Sequence, residues 1–142
     1  MDEGFGIHAM HALQAQISSI PDLEFIDGGV LGLNLLPLIE ECSHLLILDA
    51  INAGRSPGDI IELEKDLIPL YTRITLSEHQ LGVQEVLALA SFRNHLPEHI
   101  YLIGVQPAEL DPQVELSPSV SRTLPYVIER SLQVLQGWGL LV

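Results

Sequence analysis

Cysteine occurs once in this 142-residue chain, tryptophan once, phenylalanine and tyrosine three times each, and lysine and arginine together six times. Each shortage excludes something. One thiol, Cys42, cannot close an intrachain disulfide, and such usage suits a reducing compartment. Because it lies inside an apolar helical pattern, Cys42 reads as a buried structural thiol rather than a nucleophile. Six basic residues against nineteen acidic ones leave a net charge of -13, which repels phosphate backbones and anionic lipid, so neither nucleic acid nor a membrane surface is an expected partner. No apolar run reaches the ~20 residues that span a bilayer, and the N-terminus lacks the basic-then-apolar order of a secretory signal. A cytoplasmic protein is the expectation. G-x-S-x-G, H-E-x-x-H, C-x-x-C and a phosphate-binding loop are also missing, which leaves a serine hydrolase or a nucleotide binder unsupported.

What is present points to a packed core. Apolar residues make up 47% of the chain, charged residues 18%, and mean hydropathy is +0.31. That balance argues against disorder and suits a sheet covered on both faces. The length is that of one domain, read as spanning residues 1–142.

Apolar positions Phe5, Ala9, Leu13 and Ile17 recur every four residues and predict an amphipathic helix running to about residue 18, ended by Pro21. LEFIDGG over 23–29 predicts a short strand stopped by Gly28 and Gly29, with positive φ allowing a tight turn. Residues 33–42 have helical spacing, with Pro37 tolerable only in the first turn. HLLILDAI over 44–51 is apolar except for Asp49 and reads as a central strand, followed by the loop NAGRSPG. Short strands are expected at 59–64 and 71–75, a helix over 78–93 with Ser77 as N-cap, and a buried strand HIYLIGVQP ended by Pro107. A last helix starts at Ser117-Pro118 and ends near Gly137, with Pro125 kinking it or marking its true beginning. This alternation predicts an α/β fold, a three-layer sandwich with a mainly parallel, twisted sheet flanked by helices on both faces.

In open α/β sheets, ligands bind beyond the carboxyl ends of strands. Three residues of ligand type fall at such places: Glu3 at the start of the first helix, Asp49 at a strand end and His79 opening a helix. Two carboxylates and an imidazole suit a borderline divalent metal and leave positions for substrate or water. Each also has an ordinary reading, as a helix-dipole partner, a loop cap and a surface residue. His8 and His11, three apart on one helix, lack a third ligand nearby, and His44, His95 and His99 flank strands as solvated or capping residues.

Taken in order, DEGFGIHAMHAL, FIDGGVLGLNLLPLIE, LLILDAINAGRSPG, SEHQLGVQEVLALA and YLIGVQPAELDPQVELSPSVSRTLPYVIE resemble the nickel-iron hydrogenase maturation endopeptidase family, over nearly the whole chain. The specific combination is an Asp-Gly-Gly turn after a strand, an Asp in a strand end, a His-Gln helix start and a G-x-Q-P strand end. The resemblance implies an aspartyl-type endopeptidase that removes the C-terminal extension of a hydrogenase large-subunit precursor after nickel insertion. It further implies that Glu3, Asp49 and His79 are metal-binding and catalytic, and that Asp27, Gly28 and Gly29 lie near the substrate. The nickel would be supplied by the substrate, with another divalent metal such as cadmium or zinc able to take its place in vitro. The partner would be the nickel-loaded precursor, met by a monomer. The alternative is an inactive relative that holds the loaded precursor without cutting it. Family members begin with an apolar strand and a G-x-G-N loop just before the acidic pair, and neither is present here, so the chain reads as lacking that first strand through N-terminal truncation.

Overall fold

The computed structural model describes residues 4–17, 19–28, 31–68, 82–108 and 116–141. Among them, helices α1 (Phe5–Gln16), α2 (Leu35–Glu41), α3 (Val83–Phe92), α4 (Pro118–Ser121) and α5 (Leu124–Gly137) alternate with strands β1 (His44–Ala50), β2 (Ile60–Glu64) and β3 (His99–Val105). The strand order is β1-β3-β2. The amide of His99 donates to Ser43 and that of Ile51 to Val105, so β1 and β3 start together and finish together, in parallel. At the far end of β3, Gly58 donates to Gln106 and Gln106 to Asp59, which places the start of β2 beside the finish of β3, antiparallel. A small mixed sheet flanked by helices is the result, and the α/β class expected from the alternation is the class observed.

Two compact units divide the chain, with three of the four bounds falling inside strands. The first comprises Met1–Phe25, Ile47–Glu62 and Ile103–Val142. Here the predicted four-residue stripe of α1 is realised: Phe5, Ala9 and Leu13 are buried, and α1 packs on α5, whose Val127, Ile128 and Leu135 are buried in turn. Burial of a side chain the size of Phe5 is worth about 1.5–3 kcal/mol. Ile17, the next position of the stripe, has already turned to extended backbone as the helix C-cap. Pro125 settles the other ambiguity, because it sits in the first turn of α5, where no amide partner is needed, and so begins a helix instead of kinking one. The preceding short helix α4 is capped by Ser117, whose hydroxyl accepts the amide of Val120 at 3.4 Å. Glu62 of β2 binds Arg130 of α5, with Nε to Oε1 at 2.8 Å.

The second unit comprises Ile26–Leu46 and Leu63–Leu102. Pro37 lies in the first turn of α2, as it must, after a 3-10 turn over Gly32–Asn34. α2 packs against α3, and Arg93 spans the two with Nε 2.8 Å from Oε2 of Glu40. His44 and His99 stack at 4.4 Å between ring centroids, so these two strand-flanking histidines meet each other as well as solvent.

Three expectations change. Residues 23–27 form no strand, because a strand needs a ladder partner and no described residue supplies one. β1 is at one edge of the described sheet, and β3 is the central strand, which is why four consecutive residues of β3 are buried but only Ile47 of β1 is. The described helix of the 78–93 region begins at Val83. Its N-cap is Gly82, whose amide donates to the Glu85 carboxylate at 2.8 Å, while Ser77, the N-cap expected from the sequence, lies outside the described residues. The predicted strand at 71–75 lies outside the described residues.

Candidate functional site

Asp49 is the next-to-last residue of β1 and stands at the carboxyl end of the parallel β1–β3 pair, where open α/β sheets carry their binding loops. Its Oδ1 accepts the amide of Ala50 at 2.9 Å, a local bond that sets the direction of the carboxylate. The residue is half-buried.

Glycine lets other backbone reach this point. A Cβ on Gly6, in the first turn of α1, would overlap the carbonyl oxygen of Leu48 and stand 3.7 Å from the Cα of Asp49. The start of α1 therefore rests directly on the main chain of β1 at Leu48–Asp49. Among the described residues Gly4 has no such neighbour, since a Cβ there would meet the His8 ring at an ordinary 3.8 Å.

The loop that leaves Asp49 is held by Gln106, a buried side chain at 6% exposure. Its Oε1 accepts the amides of Ala53 at 2.8 Å and Arg55 at 3.1 Å. Its Nε2 donates to Asn52 Oδ1 at 3.2 Å and to the Pro107 carbonyl at 3.4 Å. In the sequence Gln106 stands out only as one letter of the G-x-Q-P strand end. The available signal was a long polar residue closing an otherwise buried strand, which must find partners on the neighbouring loop.

Of the other site residues expected from sequence, Glu3, His79 and Gly29 lie outside the described residues. Asp27 and Gly28 belong to the second unit and Asp49 to the first. Gly28 does not have the positive φ expected of it. The space there is close: a Cβ would stand 3.1 Å from a terminal methyl of Leu35, tighter than an ordinary contact, and at an ordinary 3.4 Å from Val83. Among the described residues, no group of three or more His, Cys, Asp or Glu is arranged to hold a metal ion, and His8 and His11 are both exposed on the outer face of α1. No helix among them is long and apolar enough to cross a membrane. An apolar hollow of the second unit, bounded by Ile68, Leu87, Leu96 and Ile100, has neither carboxylate nor imidazole in its lining and is not a catalytic candidate.

Cys42 behaves as a structural thiol. Burial pushes its pKa above the usual range, and Sγ donates to the Ile39 carbonyl at 3.3 Å. A thiol kept protonated is a weak nucleophile. Cys42→Ala, or treatment with iodoacetamide, should leave any peptidase activity of the chain within about twofold of the untreated protein, measured as initial rates.

The HycI hydrogenase maturation protease family matches residues 7–134 of the chain. The chain is 38% identical over 143 residues to the hydrogenase expression/formation protein HupD of Rhizobium leguminosarum bv. viciae, covering 99% of this chain and 71% of that protein. It is 34% identical over 140 residues to the hydrogenase 2 maturation protease of Escherichia coli (strain K12), with 97% of this chain and 85% of that one covered. A solved structure of the hydrogenase maturating endopeptidase HybD from E. coli superposes with a TM-score of 0.87 at 33% identity, covering 99% of this chain and 88% of that one. The resemblance read from the motifs is borne out by the profile, the relatives and the fold together. This chain belongs to the hydrogenase maturation protease family, a family of peptide hydrolases.

Proposed function

We propose that this protein is an endopeptidase that removes the C-terminal extension of a nickel-iron hydrogenase large-subunit precursor once nickel has been inserted. The observation that carries the reading is the position of Asp49, a half-buried carboxylate at the carboxyl end of a parallel strand pair in a chain of this family. Glu3 and His79 complete the ligand set. Gly6, three residues beyond Glu3 in sequence, rests on the Leu48–Asp49 backbone, and that contact supports bringing the N-terminal carboxylate to Asp49.

Two carboxylates and one imidazole fit a divalent ion of borderline softness, such as the nickel carried by the precursor or cadmium or zinc added in vitro. Such an ion, when bound, polarises a carbonyl or a water. The chain's own residues do the rest. Asp49, directed by its bond from Ala50, presents its charge at the strand end. The surplus of acidic residues draws cations toward the protein. Because the nickel arrives with the substrate, three ligands from the protease and the remainder from the precursor would make a loaded precursor bind productively and an empty one not. The enzyme would act as a monomer in the cytoplasm.

Incubation with nickel-loaded precursor should shorten the precursor, while nickel-free precursor stays intact; mass spectrometry of the large subunit reads both. Glu3→Ala and His79→Ala should abolish shortening. Undiminished cleavage in both variants and in Asp49→Ala would remove the site assignment. Stable complex formation without shortening would instead identify a protein that holds the precursor without cutting it.

A further inference from the structure

β1 ends at Ala50 and β3 at Val105, and Pro107, which has no amide hydrogen, prevents the β3 backbone from continuing the ladder. Even so, the loop after Asp49 is tied down along its length. The amide of Ile51 donates to the Val105 carbonyl at 2.9 Å and that of Gly58 to the Gln106 carbonyl at 2.8 Å. Between them the amides of Ala53 and Arg55 both donate to Gln106 Oε1. A side-chain carbonyl stands where a strand would have offered main-chain ones.

The carboxamide has no freedom to turn over. Two backbone amides must face its oxygen, and its nitrogen faces the Asn52 side-chain oxygen and the Pro107 carbonyl, so both acceptor and both donor positions of a primary amide are filled. Asn52 is oriented in turn, because its Oδ1 accepts from Gln106 and, at 3.4 Å, from the Gly54 amide. Gly54 takes the positive φ of +69° that the turn requires. The outcome is an exposed loop with a buried brace: Asn52, Gly54, Arg55 and Ser56 face solvent, while the group that sets their backbone does not.

We propose that Gln106 is a positioning residue for precursor processing, its buried carboxamide holding residues 51–55 as a preformed rim beside Asp49 against which the precursor's C-terminal segment is laid. The inference rests on the processing activity proposed above. A peptidase must hold an extended segment in register with its reacting groups, and a rim already ordered loses little freedom on binding. Misplacement by about 1 Å can cost on the order of 100-fold in rate. Gln106 touches neither the precursor nor the reacting atoms, and acts through the loop.

The test compares Gln106→Leu, which is shorter by one heavy atom and loses all four bonds, with Val127→Ala, a core truncation in α5 away from the loop. Both are assayed well below their melting temperatures on nickel-loaded precursor. Gln106→Leu should lower kcat/KM at least tenfold, with KM for the precursor rising, and should speed hydrogen exchange at the Ala53 and Arg55 amides. Val127→Ala, though less stable than the parent, should keep kcat/KM within twofold. If the parent protein cleaves and Gln106→Leu cleaves as well as Val127→Ala does, the positioning role is overturned and the processing activity stands. If the parent holds the precursor without cutting it, a tenfold weaker complex with Gln106→Leu supports the role and an equal one overturns it. If the parent neither binds nor shortens the precursor, the proposed function falls and the inference with it.

Discussion

Asp49→Asn is expected to leave the protein folded and to lower cleavage of nickel-loaded precursor by at least about 100-fold. The side chain of Asn has the shape of Asp and keeps an oxygen to accept the Ala50 amide, the 2.9 Å bond that directs the native carboxylate. What is lost is the charge. Residues that merely support metal ligands typically cost about 10–100-fold when changed, so loss of an anionic ligand itself should cost no less. Asp49→Ala should be equally inactive and somewhat less stable, because it also leaves the Ala50 amide without that acceptor. Circular dichroism and thermal melting of both variants, beside precursor cleavage followed by mass spectrometry, separate the two effects. If Asp49→Asn retains more than a tenth of the parent kcat/KM, Asp49 is not a ligand in the reaction.

Gly6→Ala is expected to destabilise the protein by roughly 3 kcal/mol, the upper part of the range for overpacked sites. On an exposed helical position the same change would help by up to ~1 kcal/mol, since alanine is the better helix former. Here the added methyl would overlap the Leu48 carbonyl oxygen and stand 3.3 Å from its carbon. Both atoms are main chain of β1, so no rotamer change makes room, and α1 must lift off the strand. At about 3–4 °C per kcal/mol for a domain of this size, melting should fall by roughly 10 °C. Because the lifted helix start is the one that follows Glu3, precursor cleavage should fall further than the folded fraction alone explains. A melting temperature equal to that of the parent would mean that α1 does not sit on Leu48.

Much of the fold was legible in the chain. The four-residue stripe of α1 is buried where it should be, Pro37 and Pro125 both occupy first turns, and the apolar runs around Ile47 and Ile103 are strands. These are local matters of periodicity, missing amides and fixed φ, decided by neighbours within a few residues. Where expectation failed, the cause was a partner distant in sequence. Residues 23–27 have the composition of a strand and no described ladder to join. Gly28 reads as a turn glycine but has no positive φ, and its near neighbours are the side chains of Leu35 and Val83, which only packing brings close. β1 and β3 both read as buried strands, but which of two apolar strands lies centrally depends on what pairs on each side.

The candidate site divides in the same way. The sequence by itself determined that Asp49 closes an apolar strand, that the chain carries an acidic surplus, that its one cysteine cannot form an intrachain disulfide, and that its ordered motifs are those of a hydrogenase maturation protease. Only the tertiary structure decided that Gly6 must be glycine because β1 runs beneath it, and that Gln106, more than fifty residues from Asn52, Ala53 and Arg55, carries the hydrogen bonds that order the loop beyond Asp49. The physical reason is that residue type and spacing state what a side chain is able to donate, accept or bury, whereas its actual partner is set when parallel strands bring separate segments of the chain side by side.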